Sequence, residues 1–162
     1  VKIKGMNSLT KVNFYLKTFG LFKIPMIFFV NPKILNLTEK EIRVGIDLNW
    51  RTKNHYKSMY FGALAIGADV STGIFALHLM KKRGVELDLL FKTFSIEFFK
   101  RPEGRTVFTC IDHKKITDQI SEVIHSQQRV NQEVSGFAVT PAISTDPVCR
   151  YKMTLSLKQK SY

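Results

Sequence analysis

Residues 59–80, MYFGALAIGADVSTGIFALHLM, constrain the fold more than any other stretch: 22 residues without proline and with one formal charge, Asp69, near the middle. At 1.5 Å per residue a helix of this length runs about 30 Å, enough to cross a bilayer or to fill the centre of a small domain. The membrane reading puts the Asp69 carboxylate at mid-bilayer, at a cost of about 2.5–3.5 kcal/mol. Gly62, Ala63, Ala65, Gly67, Ala68, Gly73 and Ala76 contribute little transfer energy against that cost. The sequence therefore predicts a helix enclosed by its own chain and no transmembrane segment. Lys81, Lys82 and Arg83 then serve as favourable charges at the helix C-terminus, and Gly84 as its stop.

The flanking sequence supplies the enclosure. Leu9, Val12, Phe14, Tyr15, Leu16, Phe19 and Leu21 recur at loosely helical spacing, with Ser8 as a candidate cap. The apolar run Ile24–Phe29 is interrupted by Pro25, which argues against a regular helix and for a flap or lid, with a membrane-surface role as the alternative. From Ile42 to Leu48 apolar and polar residues alternate, the signature of a strand with one buried face. Alternation returns at Phe94, Ile96 and Phe98. The turn residues Pro102, Glu103 and Gly104 then lead into 106–112, a pattern that predicts a hairpin between the two segments. Ile116, Ile120, Val123 and Ile124 share one face of a short helix with Asp112 as a candidate cap, and two long strands close the chain. Strands and helices do not alternate regularly, so the class is α+β with an antiparallel sheet curled around the long helix. One domain over residues 1–162 is expected, with 1–31 as helix and flap and 32–158 as core.

A net charge of +12 calls for an anionic partner: nucleic acid, lipid headgroups or a phosphorylated ligand. The basic residues are scattered, and no aromatic-basic platform for stacking bases recurs, so no specific nucleic-acid partner is expected. Cys110 and Cys149 read as buried free thiols, which suits a reducing cytoplasm. The four histidines lack metal-ligand spacing, and no metal site is expected. No cleavable leader is read in the first 28 residues, where lysines interrupt the apolar ones.

Two motifs carry a resemblance to a known family. Asn54 is followed by Tyr60, Phe61 and Gly62 at the helix entrance and by Asp69 about two and a half turns later; further on, Ser95–Arg101 ends in a basic residue before Pro102. In this layout the chain resembles the hot-dog-fold acyl-CoA thioesterases of the phenylacetyl-CoA type, and within them an uncharacterised branch, over about residues 32–158. The family's tripeptide is His-Gly-Gly; here Tyr60 stands for the His and Phe61 for the first Gly.

The resemblance implies a thioester hydrolase. The amide of Phe61 would meet the oxyanion, with Tyr60 and Gly62 beside it. Asp69 would activate water or attack directly, and Asn54 would position water or substrate. Both subunits of a homodimer, or of a dimer of dimers, would contribute to each site. Coenzyme A enters only as part of the substrate, with no permanently bound cofactor. Phe28, Phe29, Phe94 and Phe98 would line an acyl pocket, and Lys82/Arg83 or Lys100/Arg101 would meet the coenzyme's phosphates.

Each residue also has a plainer reading. Asp69 can bond to Ser, Thr or backbone groups at a subunit contact, and Asn54 can form a turn. Ser71 and Thr72 can bond back to helix carbonyls, the basic pairs can be solvated surface, and the Phe residues can be ordinary core. Two rival functions follow: a non-catalytic acyl-CoA or lipid-binding protein, and a basic nucleic-acid-binding protein whose affinity would fall steeply with salt.

Overall fold

The computed structural model describes residues 8–160. In chain order the elements are α1 (Ser8–Phe22), α2 (Pro25–Val30), β1 (Lys33–Leu37), β2 (Ile42–Ile46), α3 (Phe61–Lys82), β3 (Leu87–Phe98), β4 (Thr106–Cys110), α4 (His113–Ser126), β5 (Val130–Thr140) and β6 (Ser144–Gln159). The cap expected at Ser8 lies outside the described side chains.

One antiparallel sheet of six strands, in the order β1-β2-β4-β5-β6-β3, curls around α3, which touches β2, β4, β5 and β3. This is the hot-dog arrangement, and it explains the composition of the central run. Ala68, Phe75 and Ala76 are fully buried, and Leu64, Val70 and Leu79 nearly so. Burial of each large apolar side chain contributes about 1.5–3 kcal/mol. α3 is long and apolar enough to cross a membrane, but 67% of its most apolar window is buried inside the chain. Lys81 and Lys82 close its last turn, and Gly84 adopts the left-handed φ of 66° that ends it.

Small residues set the distance between helix and sheet. A Cβ at Gly67 would overlap the ring of Phe108 on β4, and one at Gly136 on β5 would collide with the Tyr151 hydroxyl. That hydroxyl, fully enclosed, bonds Ser71 Oγ at 2.7 Å, and Ser71 Oγ in turn donates to the Ala68 carbonyl at 3.0 Å. Ser71 therefore does bond back within its helix, whereas Thr72 Oγ1 is buried and bonds no helix carbonyl among the described residues. Cys110 and Cys149 are free and buried, and burial pushes both thiols up to about 11.

Three sequence expectations need correction. The hairpin between 94–98 and 106–112 does not form: β3 pairs with β6 at the far edge, from Leu87↔Gln159 to Phe98↔Cys149, while β4 lies between β2 and β5. The reason is the curl. β6 is long enough to take β3 along its whole length, and residues 99–105 then cross the mouth of the sheet, where Met59 N donates to Pro102 O at 2.9 Å. Pro25 starts a helix and does not prevent one, because at the first helical position its missing N–H has no partner to lose. Asp112 stands at the N-cap position of α4, but its side chain does not cap the helix; it accepts from Ser135 N (2.8 Å) and Oγ (2.9 Å), tying α4 to β5.

α1 is fixed to the other edge of the sheet by one side chain. Asn13 Nδ2 donates to Ile34 O at 2.9 Å, and Ile34 N donates to Asn13 Oδ1 at 2.7 Å, so the amide takes the place of a neighbouring strand. Leu16 and Gly20 face inward, and Gly20 has room for no side chain because Phe28 N of α2 would lie 2.8 Å from its Cβ.

Candidate active site

The chain enters α3 through a tightly bonded loop. Asn54 N donates to Ser58 O at 2.7 Å, the Asn54 side-chain oxygen accepts from Tyr56 N (2.9 Å) and Ser58 N (3.2 Å), and its amide group donates to Ser58 Oγ at 3.0 Å. Both ends of the Asn54 side chain are thus engaged within the loop. Tyr60 N donates to Thr52 O at 2.7 Å, and Tyr60, extended at φ −66° and ψ 138°, is the N-cap. No capping side chain follows. Ala63 N and Leu64 N donate to Tyr60 O, but among the described residues nothing accepts from the amides of Phe61 and Gly62. These two orphan donors sit at the positive end of a 22-residue helix, a place that favours a developing negative charge.

Aromatic rings crowd this entrance. Those of Tyr60 and Phe61 lie 4.7 Å apart, and a Cβ at Gly62 would stand 2.6 Å from Tyr60 Cε1, so the tyrosine ring lies against Gly62 where a side chain would project. Arg101, on the loop carried here by the Met59–Pro102 bond, stacks 5.2 Å over Tyr56. Lys100, next to it, pairs with Asp146 at 2.7 Å.

Asp69 lies further along the same helix on its uncovered side. Gly62, Ala65, Ile66, Asp69, Gly73 and Leu77 form a half-exposed stripe at helical spacing. Among the described residues no group donates to the Asp69 carboxylate. Partial burial alone raises its pKa above the usual aspartate range, because nothing nearby compensates for lost water. Phe91 of β3, which the sequence reading did not single out, reaches this stripe: a Cβ on Gly73 would be 3.8 Å from the Phe91 ring and 3.9 Å from Asp69 Oδ1.

The four acyl-pocket candidates divide between two elements. Phe94 and Phe98 sit opposite Met153 and Cys149 and so share the concave face of the sheet, yet they remain 42% and 48% exposed on β3, the edge strand. Phe28 and Phe29 lie on α2, where the Phe29 ring meets Trp50 edge-on at 5.9 Å. Among the described residues no ring contact joins the two pairs.

The basic pairs are also far apart. Lys100 and Arg101 neighbour the helix entrance, whereas Lys82 and Arg83 lie at its other end, about 30 Å away. There Lys82 pairs with Glu39 at 3.0 Å and Arg83 bonds Ser121 Oγ at 2.6 Å. Two open clefts flank that end. One, of about 460 Å³, is lined by Glu39, Lys82, Arg83 and His113; the other, of about 1060 Å³, by Tyr15, Ile74, Leu77 and His78 among others. Neither includes Asn54, Phe61 or Asp69. No group of three or more potential metal ligands occurs among the described residues.

Solved structures share this fold across nearly the whole chain. A protein of unknown function from Chlorobaculum tepidum superposes with a TM-score of 0.81 at 12% identity, covering 94% of this chain and 97% of its own. A protein of unknown function from Pseudomonas aeruginosa, described as a probable thioesterase, gives 0.76 at 16% identity over 96% and 99%. A thioesterase from Haemophilus influenzae gives 0.66 at 11% identity over 96% and 94%. At such identities the likeness is one of fold. No curated protein matches the sequence. The profile of a domain of unknown function, DUF4442, matches residues 13–142, most of the chain, and the protein therefore belongs to the DUF4442 family, built on a thioesterase-like hot-dog fold.

Proposed function

We propose that this protein hydrolyses an acyl-CoA thioester with a fatty or aromatic acyl group. The observation that carries the reading is the pairing, on one helix, of two orphan amides at the N-terminus with an unpartnered carboxylate of raised pKa on the open face. The amides of Phe61 and Gly62 stabilise the oxyanion that forms as the carbonyl carbon becomes tetrahedral. Asp69 takes a proton from water as its oxygen attacks that carbon, and returns the proton to the coenzyme A thiolate when the C–S bond breaks. Coenzyme A is part of the substrate, and no resident cofactor is required.

Geometry within one chain supports a dimer. Phe61 and Asp69 are eight residues apart, about 12 Å along the axis, whereas base and oxyanion donors must both lie about 3 Å from the reacting atoms. One copy's amides therefore work with the other copy's Asp69. The half-exposed stripe of α3 and the edge strand β3, with Phe94 and Phe98, provide the apolar surface for that pairing, in a dimer or a dimer of dimers. Arg101, on the entrance side of α3, is a candidate for the coenzyme's phosphates, which the pantetheine arm holds well away from the oxyanion site. Asn54 orders the entrance loop and through it the positions of Tyr60 and Phe61. The free thiols accord with a cytoplasmic location.

Free-thiol release from short, long and aromatic acyl-CoAs tests the reading. Asp69→Asn is expected to lower turnover by about 10²–10⁴-fold in a protein that still folds and assembles. A specific observation favours a second reading, an acyl-CoA-binding protein without turnover: the Tyr60 ring lies over Gly62, where a substrate carbonyl would need room. Wild type and Asp69→Asn that bind acyl-CoA equally and release no thiol would establish that reading instead.

A further inference from the structure

The corner where α1 meets α2 shows an arrangement that the active-site reading leaves unused. Leu21, Phe22, Lys23, Ile24, Pro25 and Met26 are six consecutive exposed residues, five of them apolar; Phe22 is 78% and Met26 60% exposed. The surface continues in both directions. Along α1, Phe14 and Leu21 lie one above the other on the outward side, opposite the Asn13 and Leu16 contacts that fix the helix. Along α2, Met26 and Phe29 are three residues apart, and the Phe29 ring touches Trp50, itself 74% exposed. Exposed apolar surface on this scale marks an interaction site.

The segment that builds it carries charge of one sign, and Asp47, in the loop that carries Trp50, is paired with Lys33 and Arg105. Residues 1–38 contain six lysines and no Asp or Glu. Lys11, Lys17 and Lys23, on or beside the patch, are exposed and make no ion pair among the described residues. Arg51 adds a further positive charge over the Trp50 ring at 5.9 Å. Two copies of such a face would repel each other, which argues against self-association here. Protruding Phe, Met and Trp side chains ringed by unpaired lysines match an interface whose headgroups are anionic and whose interior is apolar.

We infer that the α1–α2 corner docks this protein on the surface of an anionic lipid bilayer, with Phe22, Met26 and Trp50 entering the headgroup region and Lys11, Lys17 and Lys23 meeting the phosphates. α3 stays inside the domain, so the attachment is peripheral and reversible. The inference is independent of the proposed hydrolysis, since none of these residues belongs to the helix entrance or the Asp69 stripe.

Trp50, the only tryptophan in the chain, reports directly on this surface. With phosphatidylcholine vesicles containing phosphatidylglycerol, its emission is expected to shift to the blue and to be quenched by brominated acyl chains, while pure phosphatidylcholine leaves it unchanged. Phe22→Ser with Met26→Ser should weaken co-sedimentation with anionic vesicles at least about tenfold. Each of Lys17→Glu and Lys23→Glu should weaken it about fivefold or more. These side chains are exposed, so thermal stability should be unaffected and a loss of binding cannot be ascribed to unfolding. Absence of binding to anionic vesicles by wild type, or equal binding to neutral and anionic ones, overturns the inference. So does a change of oligomeric state in the Phe22→Ser/Met26→Ser variant of a protein that ignores vesicles, which would assign the corner to a second copy.

Discussion

Gly67 and Gly73 stand on the same helix, at 100° per residue about 120° apart around its axis, and their surroundings are opposite. Gly67 faces the sheet, where the Phe108 ring occupies the space a side chain would need; Gly73 faces the open stripe, where the Phe91 ring would be 3.8 Å from an added Cβ. The first glycine is imposed by the packing of a single chain. The second is not, and within one chain it only weakens the helix. The contrast divides α3 into a closed face that belongs to the folded monomer and an open face, carrying Asp69, whose composition suits close approach by something outside the monomer.

The largest expected effect is on the closed face. Gly67→Ala forces a methyl group into the ring of Phe108, which is fully buried and cannot swing aside; overpacking of this kind costs about 1–3 kcal/mol. Denaturant unfolding should show it as a lower midpoint. A stability equal to wild type would mean that helix and sheet can separate, and the division between the two faces would fail.

Gly73→Ala is expected to have the opposite sign. The added methyl group meets only ordinary contacts within the chain, and the exchange raises intrinsic helix stability by up to about 1 kcal/mol. Measured on dilute protein the midpoint should rise, and sedimentation over a concentration series should show weaker self-association if a second copy packs on this stripe. A lower midpoint in the monomer would show that the open face is already filled.

The smallest expected effect comes from Asp69→Asn read as stability. Because the native pKa is raised, the folded protein holds the proton more tightly than the unfolded one. Wild type therefore loses stability as pH climbs from the ordinary aspartate value of 3.8 to the raised native value, and the loss persists above it. The variant should lack this step and melt above wild type at neutral pH. A lower melting temperature would reveal a partner for the carboxylate and weaken its assignment as a base. Loss of turnover together with a gain in stability would be the mark of a functional charge held at a structural cost.

How much of this was legible in the sequence follows from the kind of interaction involved. The period of two marked strands over 42–48 and 149–158, where the structure has 42–46 and 144–159, and the 3.6 period marked α4. The small-residue run fixed the central helix within two residues at either end. These are local patterns, imposed by which face of each element must leave water. Asp69 could be singled out because a charge inside an apolar helix is chemically conspicuous, whereas Asn54, Tyr60, Phe61 and Gly62 were singled out by the resemblance to the thioesterase motif.

What only the tertiary structure decided was non-local. Turn residues at 102–104 suggested that β3 and β4 pair, but pairing depends on which strand can run beside which once the sheet has curled, and β6 offered β3 a longer partner. Pro25 marked a break in sequence and proved to be a helix start, because the proline ring penalises the middle of a helix and not its first turn. Asn13, one polar residue among many, gained its importance by meeting the free edge of β1. The two basic pairs look alike in sequence and lie about 30 Å apart. The long helix and the charge within it follow from the order of residues alone; which residues stand beside that charge follows from the path of the sheet around it.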